Sequence, residues 1–210
     1  MFENFHPVPL SGAWDSALLG PVAEINEQML ECLRGMAAGI TAAPAAGMPK
    51  LIALLREQWC RLDVTKQRRL SVCPYLLLDA GFSQPARWER LAPASVMDAP
   101  ARGGYFSNPE GIALIRRTLL LAWHLARSNR LMAGIVLGMS AASAERIALC
   151  RLRDLDMVAE LAPLWIQPRW EQQPIVWQQL IIAACREHPL SLRQAQLRGL
   201  QLLARDHARA

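Results

Sequence analysis

A chain of 210 residues, of which 52% are hydrophobic, can bury a substantial core without disulfides or metal ions. Its five cysteines are odd in number and far apart in sequence, which argues against a disulfide framework and against a closely spaced metal site; we expect buried thiols in a reducing, cytoplasmic compartment. The net charge of +5 comes from the second half of the chain. Residues 1–100 hold 9 Lys or Arg and 10 Asp or Glu, whereas residues 101–210 hold 14 Lys or Arg and 8 Asp or Glu. A basic half-chain favours contact with nucleic acid or an acidic protein surface, although an arginine-rich composition alone gives the same balance.

The N-terminal segment MFENFHPVPLSGAWD carries acidic residues and prolines where a secretory signal needs a basic start and an apolar run. No apolar stretch reaches the roughly 20 residues of a membrane-spanning helix. We therefore expect neither an export signal nor membrane insertion.

Proline and glycine divide the chain into helical blocks, and no segment has the sustained apolar–polar alternation of a sheet. We predict an all-α fold, a multi-helix orthogonal bundle. Its N-terminal helical region, 1–92, contains predicted helices over 21–35 and 49–62. The apolar run over 73–82 fits a helix or a lone strand, and Ser83 with the following proline starts another short helix.

A stretch rich in Pro, Gly, Ala and Ser predicts a linker over 93–108, followed by a C-terminal helical domain, 109–210. Asn108 caps the first helix of that domain, and Pro109 occupies its first turn. Further helices are predicted over 130–137, 141–152, 155–161, 175–186 and 191–207.

The segment 130–149, RLMAGIVLGMSAASAERIAL, has the pattern of a helix-turn-helix hairpin. Such a hairpin needs small residues in its first helix, a glycine at the turn and a cap on its second helix. These positions are supplied by Ala133, Gly134, Gly138, and Ser140 or Ser143. Segment 130–149 is therefore the candidate DNA-binding element.

In a DNA-binding hairpin, a set of polar side chains would face the groove or its phosphates. The set comprises Arg130, Ser140, Ser143, Arg146, Arg151 and Arg153, with Glu145 beside them. A purely structural hairpin fits the same spacing. Ala141 and Ala142 also occupy early positions of the second helix, where side chains that donate hydrogen bonds to bases are expected.

Residues 126–182 present a series of features in a fixed order: Leu137-Gly138-Met139, then DLDMVAELA, IQPRW and PIVWQQLI. In this order and spacing the segment resembles the flagellar transcriptional regulator FlhD family. The resemblance covers about a quarter of the chain. It implies a helical transcription regulator that assembles with copies of itself and with a partner, FlhC, to bind promoter DNA.

Two parts of the chain lie outside what the resemblance predicts, the hundred-residue N-terminal region and the long basic C-terminal helix. Small helical accessory proteins of secretion machines are similar to this chain in size and leucine-rich texture. That similarity keeps a protein-binding accessory role open beside the regulator.

Catalytic motifs are absent from the sequence. The four histidines are far apart, and none has the helical spacing to a carboxylate and a second histidine that a metal site needs. His124 lies on an apolar helix, where we expect a hydrogen-bonded core histidine. We predict a non-enzymatic protein with no catalytic residue, metal, cofactor or small-molecule substrate.

Three tryptophans surround a proline-broken segment with one arginine between two of them. Trp165, Arg169, Trp170 and Trp177 form this group, which suits either a core corner or a protein interface. The C-terminal helix carries arginines away from its apolar face, which indicates a solvated surface or a docking surface for a partner helix or a phosphate.

These observations lead to a DNA-binding transcription regulator that acts as part of an oligomer. Its expected partners are double-stranded DNA and either another protein or a second copy of the chain. The alternative is a non-enzymatic helical adaptor or accessory protein of a secretion or motility machine.

Overall fold

The computed structural model describes residues 16–40, 47–89, 104–161, 165–186 and 188–207. Eleven helices and two very short strands lie within these ranges, so the predicted all-α, multi-helix fold is confirmed. The helices are α1 (Ser16–Ala38), α2 (Lys50–Leu54), α3 (Arg56–Cys60), α4 (Val64–Ser71), α5 (Pro85–Glu89), α6 (Pro109–Ser128), α7 (Arg130–Leu137), α8 (Ala141–Leu149), α9 (Leu152–Leu161), α10 (Pro174–Cys185) and α11 (Pro189–His207). The strands are β1 (Leu78–Asp79) and β2 (Gln167–Pro168), which pair antiparallel.

Helix α1 lines one side of the core with a stripe at helical spacing. Val22, Ile25, Met29 and Leu33 are all buried, as residues three to four positions apart on one face should be. One polar residue lies in the same stripe. The side-chain amide of Asn26 donates to the carbonyl oxygens of residues 71 and 75 at 3.1 and 3.0 Å, and its oxygen accepts from the backbone N–H of residue 77 at 2.8 Å.

Those bonds explain why the run over 73–82 is neither a helix nor a solvated strand. Tyr75, Leu76, Leu77 and Leu78 are all fully buried, so their backbone needs partners inside the protein. Asn26 supplies some of these partners. The pairing of β1 with β2, two residues on each side, supplies others.

Two features of the N-terminal half differ from the prediction. The single helix predicted over 49–62 is interrupted at Leu55, whose φ of −112° and ψ of 22° separate α2 from α3. Helix α4 was not predicted, because its sequence VTKQRRLS has almost no apolar stripe. Asp63 caps it instead, accepting from the backbone N–H of Lys66 at 2.9 Å.

Helix α6 is the central element of the second half. Asn108 accepts from the backbone N–H of Gly111 at 2.8 Å, and Pro109 occupies the first turn, as predicted. Residues of α6 and α1 belong to one hydrophobic core, so helices from both sides of the predicted linker pack together. Residues 93–103 of the predicted linker, 93–108, lie outside the described residues. The division of the chain into two regions at this linker stays a prediction.

The five cysteines are all free, and four of them are buried or partly buried. Burial raises the pKa of the Cys73 thiol to about 12 and that of the Cys32 thiol to about 11. The expectation of buried thiols is wrong for Cys60, which is exposed at the end of α3. Among the described helices, none is by itself long and apolar enough to cross a bilayer; α7 and α8 reach that length only as a pair bent by 114°.

Candidate nucleic-acid interface

Helices α7 and α8 form the predicted hairpin, meeting at 114° across the three residues 138–140. Gly138 has the left-handed conformation that the sequence indicates, with φ 64° and ψ 32°. Its N–H donates to the carbonyl oxygen of Gly134 at 3.0 Å, and the next N–H donates to that of Ala133 at 3.3 Å. These two bonds end α7 abruptly and set the direction in which α8 leaves.

The inner side of the hairpin is apolar and tightly packed. Its buried residues are Ala133, Val136, Leu137, Met139, Ala144 and Ile147. They pack against the neighbouring helices of the core, with α8 lying on α5 and α6. The hairpin is therefore an integral part of the fold and has one face left for solvent.

Ser140 and Ser143 are used inside the hairpin. Ser140 caps α8: its Oγ accepts from the backbone N–H of Ser143 at 3.2 Å and donates to the Ser143 Oγ at 2.9 Å. Ser143 is completely buried. Its assignment to the DNA-facing set is therefore corrected, because a side chain without solvent access cannot reach a base or a phosphate.

The outer face of α8 carries five exposed side chains: Ala141, Ala142, Glu145, Arg146 and Leu149. At 3.6 residues per turn, these positions fall within less than half of the helix circumference. The opposite side holds the buried residues 143, 144 and 147. Helix α8 thus separates cleanly into a core face and a solvent face.

A buried arginine holds the turn of this hairpin to the rest of the core. The Arg169 guanidinium donates to the carbonyl oxygens of Leu76, Leu78 and Leu137 at 2.8, 3.2 and 2.8 Å. Desolvation lowers its pKa from the ordinary value, while the nearby Asp79 carboxylate opposes that shift. The guanidinium thus joins the end of α7 to β1.

The last helix also touches the turn. A Cβ added at Gly138 would lie 2.6 Å from the Leu203 Cδ1 and 3.2 Å from the Arg169 Nη1. Leu203 is itself buried. Helix α11 therefore covers the turn directly.

The tryptophan group lies mainly in the core. Trp177 is fully buried, packs against Trp59 with ring centroids 5.3 Å apart and donates to the Arg169 carbonyl oxygen at 2.6 Å. Trp170 is 8% exposed and contacts Tyr75 edge-on. The interface assignment of Arg169, Trp170 and Trp177 is corrected to the core alternative, because the neighbouring elements already cover them.

Trp165 differs from the other two tryptophans. It is half-buried, packs edge-on against Trp88 and has the Arg87 guanidinium 5.5 Å from its ring centroid. Part of its surface is therefore accessible, and its role as an interface residue stays a prediction.

An arginine-lined cleft lies beside α8, where the end of α6, the start of α7 and the α8–α9 connection meet. We call it the basic cleft; it has a volume of about 490 Å³. Its lining residues are Trp123, Ala126, Arg127, Arg130, Ala148, Leu149, Cys150, Arg151 and Leu152. Three of these side chains are guanidinium groups, so the cleft is suited to an anion.

Sequence reasoning missed Arg127. Its guanidinium lies over the Trp123 ring, 4.5 Å from the centroid, and Trp123 donates through Nε1 to the Cys150 carbonyl oxygen at 3.0 Å. These contacts orient the guanidinium at the cleft wall. The spacing of four residues between Trp123 and Arg127 on one helix could have identified the pair.

The predicted arginines around α8 make only exposed ion pairs. Arg130 lies 3.5 Å from Glu145, Arg146 lies 3.4 Å from Glu89, and Arg153 lies 3.7 Å from Asp154. Exposed pairs of this kind contribute about 0–1 kcal/mol each, so a phosphate can displace the carboxylate at little cost. Within the described ranges, the guanidinium groups of Arg127 and Arg151 have no carboxylate within 4 Å, although the backbone N–H of Arg151 donates to the Asp154 carboxylate at 2.9 Å.

The structure thus brings part of the predicted set together. Arg130 and Arg151 line the basic cleft, and Arg146 lies on the outer face of α8. Arg153 is exposed on the first turn of α9 and does not line the cleft. Ser140 is half-buried and occupied as a cap.

No group of three or more His, Cys, Asp or Glu side chains in those ranges is placed to hold a metal ion. His124 is exposed on α6, so the expectation of a core histidine is wrong. The apolar stripe of α6 passes on the opposite side of that residue.

Compared with known proteins, the chain matches no family model, no curated protein and no solved structure.

Proposed function

We propose that this chain is a DNA-binding transcription regulator of FlhD-like type that acts as part of an oligomer, with α8 as the helix that enters the major groove. The observation that carries the proposal is the hairpin geometry. Two helices at 114°, a left-handed glycine at the turn and a solvent-facing second helix form the arrangement that helix-turn-helix proteins use to read DNA.

The dimensions of α8 suit this role. Its nine residues correspond to a length of roughly 13 Å, and the major groove of B-DNA is about 12 Å wide. The exposed side of α8 faces away from the core. A duplex can therefore approach it without displacing any described helix that packs against its buried side.

The basic cleft supplies the electrostatic part of the interface. Arg127, Arg130 and Arg151 converge at one end of α8, where a DNA backbone passes when the helix lies in the groove. Guanidinium groups bind phosphate oxygens with two hydrogen bonds each, and each neutralised phosphate releases counterions. We expect affinity for duplex DNA to fall steeply with salt.

A salt titration tests the proposal. Binding of the full chain to a random-sequence duplex, followed by fluorescence anisotropy, should give a linear plot of log affinity against log salt concentration. The slope of this plot is negative. The double variant Arg127→Ala/Arg151→Ala should make it less steep by about 2, one for each lost phosphate contact.

The matched control is Arg61→Ala/Arg68→Ala, which removes the same charge from exposed positions on other elements. This control should keep the slope of the unsubstituted chain. Equal slopes for both double variants, or no binding at low salt, would refute DNA binding through this surface.

A helical adaptor of a secretion or motility machine is the second candidate, and one observation favours it. Leu131 is 73% exposed, Leu149 80% and Leu152 51%, all on or beside the hairpin. Leu149 and Leu152 both line the basic cleft, and exposed apolar side chains that share a site are typical of protein-binding surfaces. An adaptor would leave random duplex DNA unbound even at low salt, so the same titration separates the two candidates.

A further inference from the structure

The first turn of α8 presents only methyl groups to solvent. In a helix-turn-helix, the N-terminal residues of the second helix are the ones that reach base edges. Here those positions are Ala141 and Ala142, both exposed. The exposed side chains at this end of the helix can therefore contact the groove only through apolar surface.

Neighbouring hydroxyl groups cannot take over the recognition. The Ser140 Oγ is engaged by the Ser143 N–H and hydroxyl, and Ser143 is fully buried. Hydrogen-bonding side chains begin only one turn later, with Glu145 and Arg146. The first turn therefore has no free polar side-chain atom to offer a base.

Among the groups on the major-groove edges of the bases, the thymine C5-methyl is the one that an alanine side chain contacts favourably. Thymine also presents its O4 acceptor there, but cytosine, adenine and guanine have no methyl group beside their polar atoms, so an apolar side chain gains no methyl contact and leaves those atoms without a hydrogen bond. Leu149 extends the same face with a third apolar side chain, 80% exposed.

On the premise that the proposed function holds, we propose that α8 selects its DNA site through thymine methyl groups, which Ala141 and Ala142 contact. The preferred site then contains thymines at the base pairs under the first turn of α8. The arginines of the basic cleft add affinity that is independent of sequence.

The experiment begins with selection of sites by the full chain from a pool of random 30-base-pair duplexes. The enriched site is then synthesised twice, once with thymine and once with 2′-deoxyuridine, which lacks only the C5-methyl. Each buried methyl contributes roughly fourfold in affinity, so loss of two contacts predicts roughly fifteenfold weaker binding of the uracil duplex.

The variant Ala142→Ser should reduce the difference between the thymine and uracil duplexes to roughly fourfold, because one apolar contact is lost. Ala204→Ser, at an exposed position of α11, is the control and should leave the full difference in place. Both residues are exposed, so neither change disturbs the core.

Equal affinity for the two duplexes would overturn the thymine proposal while leaving DNA binding intact, as would binding with no enriched site. If the Ala142→Ser variant keeps the full affinity difference between the thymine and uracil duplexes, α8 does not recognise the thymine methyl groups. Absence of binding to any duplex would overturn both this inference and the proposed function.

Discussion

At the scale of single residues, Arg169 shows how one side chain can connect distant parts of the chain. Its guanidinium is buried and satisfies the carbonyl oxygens of Leu76, Leu78 and Leu137. Its own carbonyl oxygen accepts from Trp177. β1, β2, the end of α7 and α10 therefore meet at this one residue.

We expect Arg169→Met to lower the free energy of unfolding by about 2–4 kcal/mol, because three buried carbonyl oxygens lose their donor while an apolar side chain fills part of the space. Urea denaturation followed by circular dichroism measures the change. Arg205→Met, at an exposed position on α11, is the matched control and should shift the value by less than about 0.5 kcal/mol. Similar values for both variants would mean that the buried hydrogen bonds contribute nothing net.

Residue-level roles were the hardest to predict from the sequence. Arg169 and Ser143 are polar residues that usually lie at the surface, and only the tertiary structure supplies the carbonyl oxygens and the serine pair that bury them. Arg130, Arg146 and Arg151 were placed correctly on the surface, because an arginine without a buried partner stays in solvent.

At the scale of secondary-structure elements, the hairpin depends on the conformation of Gly138. A φ of 64° costs most other residues about 1–2 kcal/mol, and the Leu203 side chain blocks the space that a Cβ would need. The element is therefore defined by one backbone conformation and one contact from α11.

Gly138→Ala should lower the free energy of unfolding by about 2–3 kcal/mol, since backbone strain and steric overlap add. Gly39→Ala separates the two contributions: its φ is 74°, and nothing lies within 4 Å of the added Cβ, so only the strain of about 1 kcal/mol is expected. Thermal and urea denaturation of the two variants provide the comparison.

Combining Gly138→Ala with Leu203→Ala checks the steric contribution. Removal of the leucine side chain should make the alanine at position 138 less costly than it is in the chain that retains Leu203. Strictly additive effects would show that α11 does not restrict the turn.

Elements were predicted well wherever caps and an apolar stripe coincide. The start of α6 at Asn108 and Pro109 and the bounds of α7 follow from such patterns. Helix α4 escaped prediction because its stripe is nearly absent, and the break at Leu55 has no glycine or proline to mark it. Helices α2, α3 and α4 all pack against α1, and such packing is not visible in local sequence.

At the scale of the whole molecule, the continuous core determines how the chain should unfold. Trp59 from the first half packs on Trp177 from the second, and α1 packs on α6. No described layer of solvent-facing residues separates the two halves. The regions predicted as 1–92 and 109–210 therefore share their hydrophobic stabilisation.

We expect a single cooperative unfolding transition. Tryptophan fluorescence, to which Trp59 and Trp177 contribute together with the chain's other five tryptophans, and far-ultraviolet circular dichroism, which reports on all helices, should give the same urea midpoint. Two separated midpoints would instead support independent domains on either side of the predicted linker.

The contact between Leu203 and the turn glycine has a practical consequence for handling the protein. Leu203 lies in the last helix, so a fusion partner joined after that helix can disturb the angle at which α8 is presented. An affinity tag at the opposite terminus leaves α11 without an attached fusion partner. If a C-terminally tagged preparation fails to bind, an effect of the tag on the turn should therefore be tested before the loss is attributed to the protein itself.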